Sequence, residues 1–186
     1  MSFNTNLENP GDDHTINNES IQKPDTIVHL GITHHRNYKK TTSTQLQENM
    51  EKSRHTLYSL LGAGLHGKNE LNPTACLHLL QVYVILILTY GLEILLPSRT
   101  ELQTLEIFLS KNTKADTFNP NKYKCTADPA VYILTGVILI ESRIHKLALG
   151  MYANICRTTN SIEREIAERQ LGVKAINDNS WFSKIR

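Results

Sequence analysis

The stretch Asn72 to Leu96, NPTACLHLLQVYVILILTYGLEILL, constrains this chain more than any other, because it alone is apolar enough all round to be a buried central helix. Asn72 can cap the free N–H groups of a first turn, and Pro73 sits at the first helical position, where a missing N–H costs nothing. Pro97 cannot continue a helix and Gly91 weakens the last turns, so the pattern predicts a bend near Tyr90 and an end by Leu96. At about 1.5 Å per residue such a helix runs roughly 35 Å, enough to traverse a small domain. Leu80, Leu86 and Leu88 are its expected buried residues. Two other readings fit less well. The uninterrupted apolar run is only Val82 to Leu88, flanked by His78, Gln81 and Glu93, whereas a membrane span needs about 20 predominantly apolar residues. The cluster VYVILIL would also suit a buried strand, but the Asn-Pro start and the length favour the helix.

A chain of 186 residues is long enough to bury a real core and short enough for one domain. Its net charge of +2 hides an asymmetry. Residues 1–28 hold five acids against Lys23, whereas residues 29–157 hold fourteen bases against nine acids. A modestly basic body suits an anionic partner, although such a surface is also the ordinary solvated face of a protein. The three cysteines, Cys76, Cys125 and Cys156, are far apart and odd in number, and the N-terminus does not read as a signal peptide. Both features predict a reduced, intracellular location, nuclear or cytoplasmic.

Residues 1–26 are rich in Asn, Asp, Glu, Ser and Pro. Short strands are expected at Thr15 to Asn18, at Ser20-Ile21 and over Thr26 to Ile32, with Gly31 marking a bulge or a close backbone approach. The polar, basic run Thr33 to Thr44 reads as a loop into a helix that starts at a Thr44/Gln47 capping box. Leu46, Met50, Leu57, Leu60 and Leu61 carry that helix to Gly62-Ala63-Gly64. A loop at residues 66–69 then makes an antiparallel hairpin with the central helix. Ser98 and Glu101 form a capping box for a helix through Leu102, Leu105, Phe108 and Leu109 to about Lys111. Residues 112–126 have no periodicity and read as a long loop. Asp128-Pro129 starts a short helix to Gly136, and Ile144, Leu147, Ala148, Met151 and Ile155 mark another from Ile140. Asn160 with Glu163 caps a polar helix to about Gln170, and Trp181, Phe182 and Ile185 close the chain with an apolar cluster.

Most familiar chemistry is missing. Gly11-Asp12-Asp13 has the paired aspartates that hold metal ions in polymerases, but it lies in LENPGDDHTINN, a plain polar turn without the apolar strands such a pair needs. Eight histidines invite a metal site, yet neither His34-His35 nor Cys76 with His78 has zinc-like spacing to a second pair. No Gly-rich phosphate loop, nucleophile elbow or HExxH motif is present. What remains is the strand, glycine and basic loop from Ile27 to Lys40. Gly31 can let a sugar-phosphate chain come close, and His35, Arg36, Lys39 and Lys40 can contact phosphates beyond it. An ordinary basic surface loop has the same composition.

Five blocks occur in a telling order: His29-Leu30-Gly31-Ile32, Ser59 to Gly67, Leu88-Thr89-Tyr90-Gly91-Leu92-Glu93, Ala127 to Gly136, and Asn179-Ser180-Trp181-Phe182. Together they resemble the C-terminal part of the reverse transcriptase of animal non-LTR (LINE-type) retrotransposons, from about Ile16 to Arg186. The resemblance implies that His29, Leu30 and Gly31 belong to the primer-grip hairpin at the base of the palm, which holds the primer 3′ end. The helices after it would be the thumb, which holds the template-primer duplex. Fingers, most of the palm and its aspartate pair are expected upstream of Met1. The sequence departs from the family where Lys111 to Thr126 is polar rather than apolar and helical, and where Leu139 replaces a usual proline.

The expected fold is therefore mainly α, a thumb-like helical bundle preceded by a small N-terminal antiparallel β element. Residues 1–40 would be a palm-edge remnant with the primer-grip-like turn, 41–111 thumb-like helices, 112–127 an irregular loop and 128–186 C-terminal helices. The expected function is template-primer binding without catalytic aspartates, and without polymerase activity in the isolated chain. The nucleic-acid-binding residues are expected to be His29, Leu30, Gly31, Arg36, Lys39 and Lys40, and the partner an RNA/DNA template-primer duplex held weakly. No cofactor is expected in this chain, Mg²⁺ belonging to the missing palm, and neither a membrane nor a small-molecule substrate. Two other classes fit the sequence: a free-standing helical nucleic-acid-binding or interaction module without enzymatic activity, and a helical protein with no ligand or a barely stable fragment.

Overall fold

No Gly or Pro interrupts residues 38–61, and the computed structural model forms one long helix there, α1, Tyr38–Gly62. The structure describes residues 15–16, 19–20, 24–64, 72–112, 128–174 and 181. The cap of α1 is Asn37, whose side chain accepts the Lys39 N–H, not Thr44. The helix starts earlier than the capping-box pattern suggests because Thr41, in its first turns, is itself held. Its hydroxyl accepts the His35 N–H at 3.0 Å, and its side chain is buried.

Before α1 come two small antiparallel pairs, β1 (Thr15–Ile16) with β2 (Glu19–Ser20), and β3 (Thr26–His29) with β4 (Ile32–His35). In the second pair Thr26 faces His35 and His29 faces Ile32, so the connection is the two residues Leu30-Gly31. The chain reverses at Leu30-Gly31, where the resemblance implies a turn and the residue pattern alone suggests a bulge or a close backbone approach. A two-residue hairpin turn of this kind needs positive φ at both positions. Gly31 takes φ 75° freely, and Leu30 is held at φ 49°.

The central segment is broken into pieces. α2 (Pro73–Leu79) starts on the predicted Asn72 cap, which accepts the Thr74 N–H. A wider π-helical turn, Leu80–Ile85, leads into α3 (Leu86–Thr89), and after the Tyr90-Gly91 break comes α4 (Leu92–Leu95). Gly91 sits at φ 73° and ends the continuous helix at the expected bend. The segment is not buried all round. Leu80, Val84, Ile85, Leu88, Leu92 and Leu96 are buried, but Tyr83, Leu86 and Tyr90 are about half exposed along one edge. Leu86 is thus a surface residue, contrary to its expected place in the core, because the continuous apolar run supplies more hydrophobic side chains than the two packed faces can cover. No helix among the described residues is long and apolar enough to cross a membrane.

α1 and the central segment run antiparallel, as expected: Asn49 meets Leu88, Ser53 meets Val84, and Leu57 packs with Leu80. The predicted connecting loop at residues 66–69 lies outside the described residues. The other helices complete the bundle: α5 (Arg99–Asn112), α6 (Asp128–Thr135), α7 (Ile140–Arg157) and α8 (Ile162–Lys174). The capping box before α5 forms reciprocally. The Ser98 N–H donates to Glu101 Oε2 at 2.8 Å, and the Glu101 N–H points back to Ser98 Oγ at 3.4 Å. α7 follows Leu139, which has no capping side chain; Glu106 of α5 instead accepts the Ile140 N–H at 3.0 Å. At α8 the cap is Ser161 rather than Asn160: its hydroxyl accepts the Arg164 N–H, while Asn160 lies in the left-handed region at φ 62°.

The main core joins Leu46 of α1, Ile85, Leu88, Leu92 and Leu96 of the central segment, Leu102, Leu105, Phe108 and Leu109 of α5, and Val137, Ile140, Ile144 and Ala148 around α7. Trp181 packs on it and donates its indole N–H to the Ile94 carbonyl at 3.0 Å. Phe182 and Ile185, residues 113–127 and Gly11-Asp12-Asp13 lie outside the described residues. The fold is mainly helical with a small antiparallel β element at its N-terminal side.

Candidate nucleic-acid interface

The β3–β4 hairpin is held on the helices by polar contacts that begin with one repeat. Thr41, Gln45, Asn49 and Ser53 stand four apart, so they share one face of α1, and all four are buried. Thr41 takes the His35 N–H. Gln45 Oε1 accepts the Thr33 N–H at 2.8 Å, and its amide N–H₂ donates to Asn49 Oδ1 at 3.0 Å and to the Gly31 carbonyl at 3.4 Å. Asn49 Nδ2 donates in turn to the carbonyls of Tyr90, at 2.8 Å, and Leu88, at 3.3 Å. Ser53 donates to the Val84 carbonyl at 3.3 Å. Buried amides of this kind must be paired, and here the pairing joins hairpin, α1 and the helix break in one network. Just beside it, Thr33 Oγ1 donates to Glu48 at 2.9 Å.

Two glycines interlock the hairpin with the break. A Cβ on Gly31 would lie 3.2 Å from Tyr90 Cε1, and one on Gly91 would lie 3.0 Å from Ile32 Cγ1. The Tyr90 hydroxyl donates to the Leu30 carbonyl at 2.7 Å. The close approach that Gly31 permits is therefore made within the molecule, by the Tyr90 ring. Gly31→Ala meets both the ring and a positive φ, and is expected to cost about 1 to 3 kcal/mol, whereas Tyr90→Phe, which removes only an exposed hydrogen bond, should cost about 1 kcal/mol or less. Urea denaturation of the two variants side by side checks this order.

The six residues expected to bind nucleic acid divide into two groups. His29, Leu30 and Gly31 lie at the turn, all exposed, with Leu30 77% exposed and Val28 beside it 67%. Arg36, Lys39 and Lys40 lie at the open end, where the Arg36 N–H closes the hairpin on the Asp25 carbonyl at 2.8 Å. Four residues of β4 separate the groups, a distance of about 10 to 15 Å. Lys39 and Lys40 occupy the first turn of α1 rather than a loop, so the positive end of the helix dipole adds to their charge. All three basic side chains are exposed, and none has a carboxylate within ion-pair distance among the described residues. His29 and His34 rings stand 6.5 Å apart, tilted. Among the described residues no three His, Cys, Asp or Glu side chains gather as a metal site.

Sequence reasoning did not single out Gln45, Asn49 or Tyr90 as the parts that position this hairpin. The four-residue repeat from Thr41 to Ser53 was the available signal, masked because polar residues at helical spacing ordinarily mark a solvated face. Comparison with protein-family models, with curated proteins and with solved structures gives no match.

Proposed function

We propose that this chain is a fragment derived from a retrotransposon reverse transcriptase, which holds a template-primer duplex weakly and carries no polymerase centre of its own. The observation that carries the reading is the two-residue Leu30-Gly31 turn, presented on a helical hairpin and followed by three exposed cations. A turn followed by helices is what the sequence resemblance implies for a primer grip and thumb, and the basic start of α1 follows that turn here. Arg36, Lys39 and Lys40 supply phosphate contacts that are independent of base sequence.

Fluorescence anisotropy with a labelled RNA/DNA hybrid tests it. Neutralising about three phosphates gives a log-log salt slope near −3 or slightly shallower, with affinity at best in the non-specific range of about 10⁻⁴ to 10⁻⁶ M. The Arg36, Lys39, Lys40 triple alanine variant is expected to lose most of that slope. An unchanged slope, or no binding at low salt, turns the reading toward a helical interaction module, which the exposed Tyr83, Leu86 and Tyr90 edge favours.

A further inference from the structure

A cleft of about 770 Å³ opens where α4 meets α7 and the start of α8, away from the hairpin. Leu147, Met151 and Ile155 give it an apolar wall, and Glu93 and Glu163 bring carboxylates to it. Lys146 also borders the cleft, but it forms no ion pair with either carboxylate. The Arg164 guanidinium beside Glu163 is held by Glu168 at 2.9 Å. Glu93 lines the cleft, and its Oε2 is withdrawn from water with no hydrogen-bond partner among the described residues. A carboxylate with one oxygen enclosed and unpaired carries a poorly compensated charge, which a cation in the adjoining cleft offsets. Gly150, in the middle of α7, borders the cleft at an exposed position, and a Cβ there would meet nothing within 4 Å.

We propose that this cleft binds a small organic cation, an ammonium or guanidinium group on an apolar stem, with the charge at Glu93 and the stem along Leu147, Met151 and Ile155. The acid alone would not select such a ligand from simple salts. The adjoining apolar wall does, because it gains only from a stem that leaves water.

Hexylammonium, hexanoate and hexanol are suitable probes, read by the Met151 methyl resonance of the full chain, which has only three methionines to assign. Hexylammonium is expected to shift Met151 saturably and leave Met50 unmoved, with hexanoate and hexanol at least tenfold weaker. Two variants keep the test separate from loss of fold. Gly150→Leu adds a side chain at the cleft, its Cβ meeting nothing within 4 Å, and replaces a poor helix former, so its Tm should hold or rise while hexylammonium affinity falls at least tenfold. Glu93→Gln keeps the shape and should lose the preference for the cation. Absence of a saturable shift, equal affinity for hexanol, or unchanged affinity in either variant overturns the proposal.

Discussion

Replacing Asn49 by alanine is expected to lower the unfolding free energy by about 2 to 4 kcal/mol, although the residue is polar and lies on a helix where substitutions are often mild. Its amide is 1% exposed and serves three partners at once: it accepts from Gln45 and donates to the Leu88 and Tyr90 carbonyls. Truncation removes all three bonds, leaves the Leu88 carbonyl enclosed without its donor, and opens a small cavity between α1 and the central segment. Asn49→Asp sharpens the point, because it keeps the volume and reverses the chemistry. A carboxylate would face two carbonyl oxygens, so at neutral pH this variant should be at least as unstable as the alanine one. Acidification should then return part of the loss, as the carboxyl takes a proton and becomes a donor. Urea midpoints of parent and variants, followed by helical circular dichroism at neutral and mildly acidic pH, give the comparison. An alanine variant with the parent's midpoint would mean that α1 and the helix break are not joined through this side chain.

Local signals carried much of the fold. Ser98 with Glu101, Asn72 with Pro73, and Gly62-Ala63-Gly64 are contacts within a few residues, and each helix end they marked stands close to where expected. Other features rest on partners outside their own element. α1 begins at Tyr38 because Thr41 meets His35 on β4, which no pattern inside the helix reveals. The hairpin turn tolerates Leu30 at φ 49° with Tyr90 bonded to its carbonyl, 60 positions away in sequence. The start of α7 is capped from α5 by Glu106. The same holds at the candidate interface. The basic residues were legible as charges, but their separation from the turn follows from β4 being a strand rather than a loop, and a strand of ITHH has no alternation strong enough to announce itself.

The other large effect lies in the central segment, where two leucines two residues apart should behave in opposite ways. Leu88 is 0% exposed and packs in the main core with Ile85, Leu92 and Leu105, so Leu88→Ala should cost about 3 to 5 kcal/mol. Leu86 is 50% exposed on the free edge beside Tyr83 and Tyr90. Leu86→Ala should cost less than about 1 kcal/mol, since half of the side chain is already in water and alanine is the better helix former. Hydropathy cannot separate the two residues, because both stand in the same uninterrupted apolar run. What separates them is the π-helical turn before them together with the packing of α1, and the main core that Ile85 and Leu88 share with residues of α5 and α7, which leave the side of Leu86 uncovered. Thermal or urea unfolding of the pair decides it. Equal, large losses at both positions would mean that the edge is covered in solution, either by another copy of the chain or by residues outside those described, and concentration dependence of the Leu86→Ala midpoint would tell these two apart.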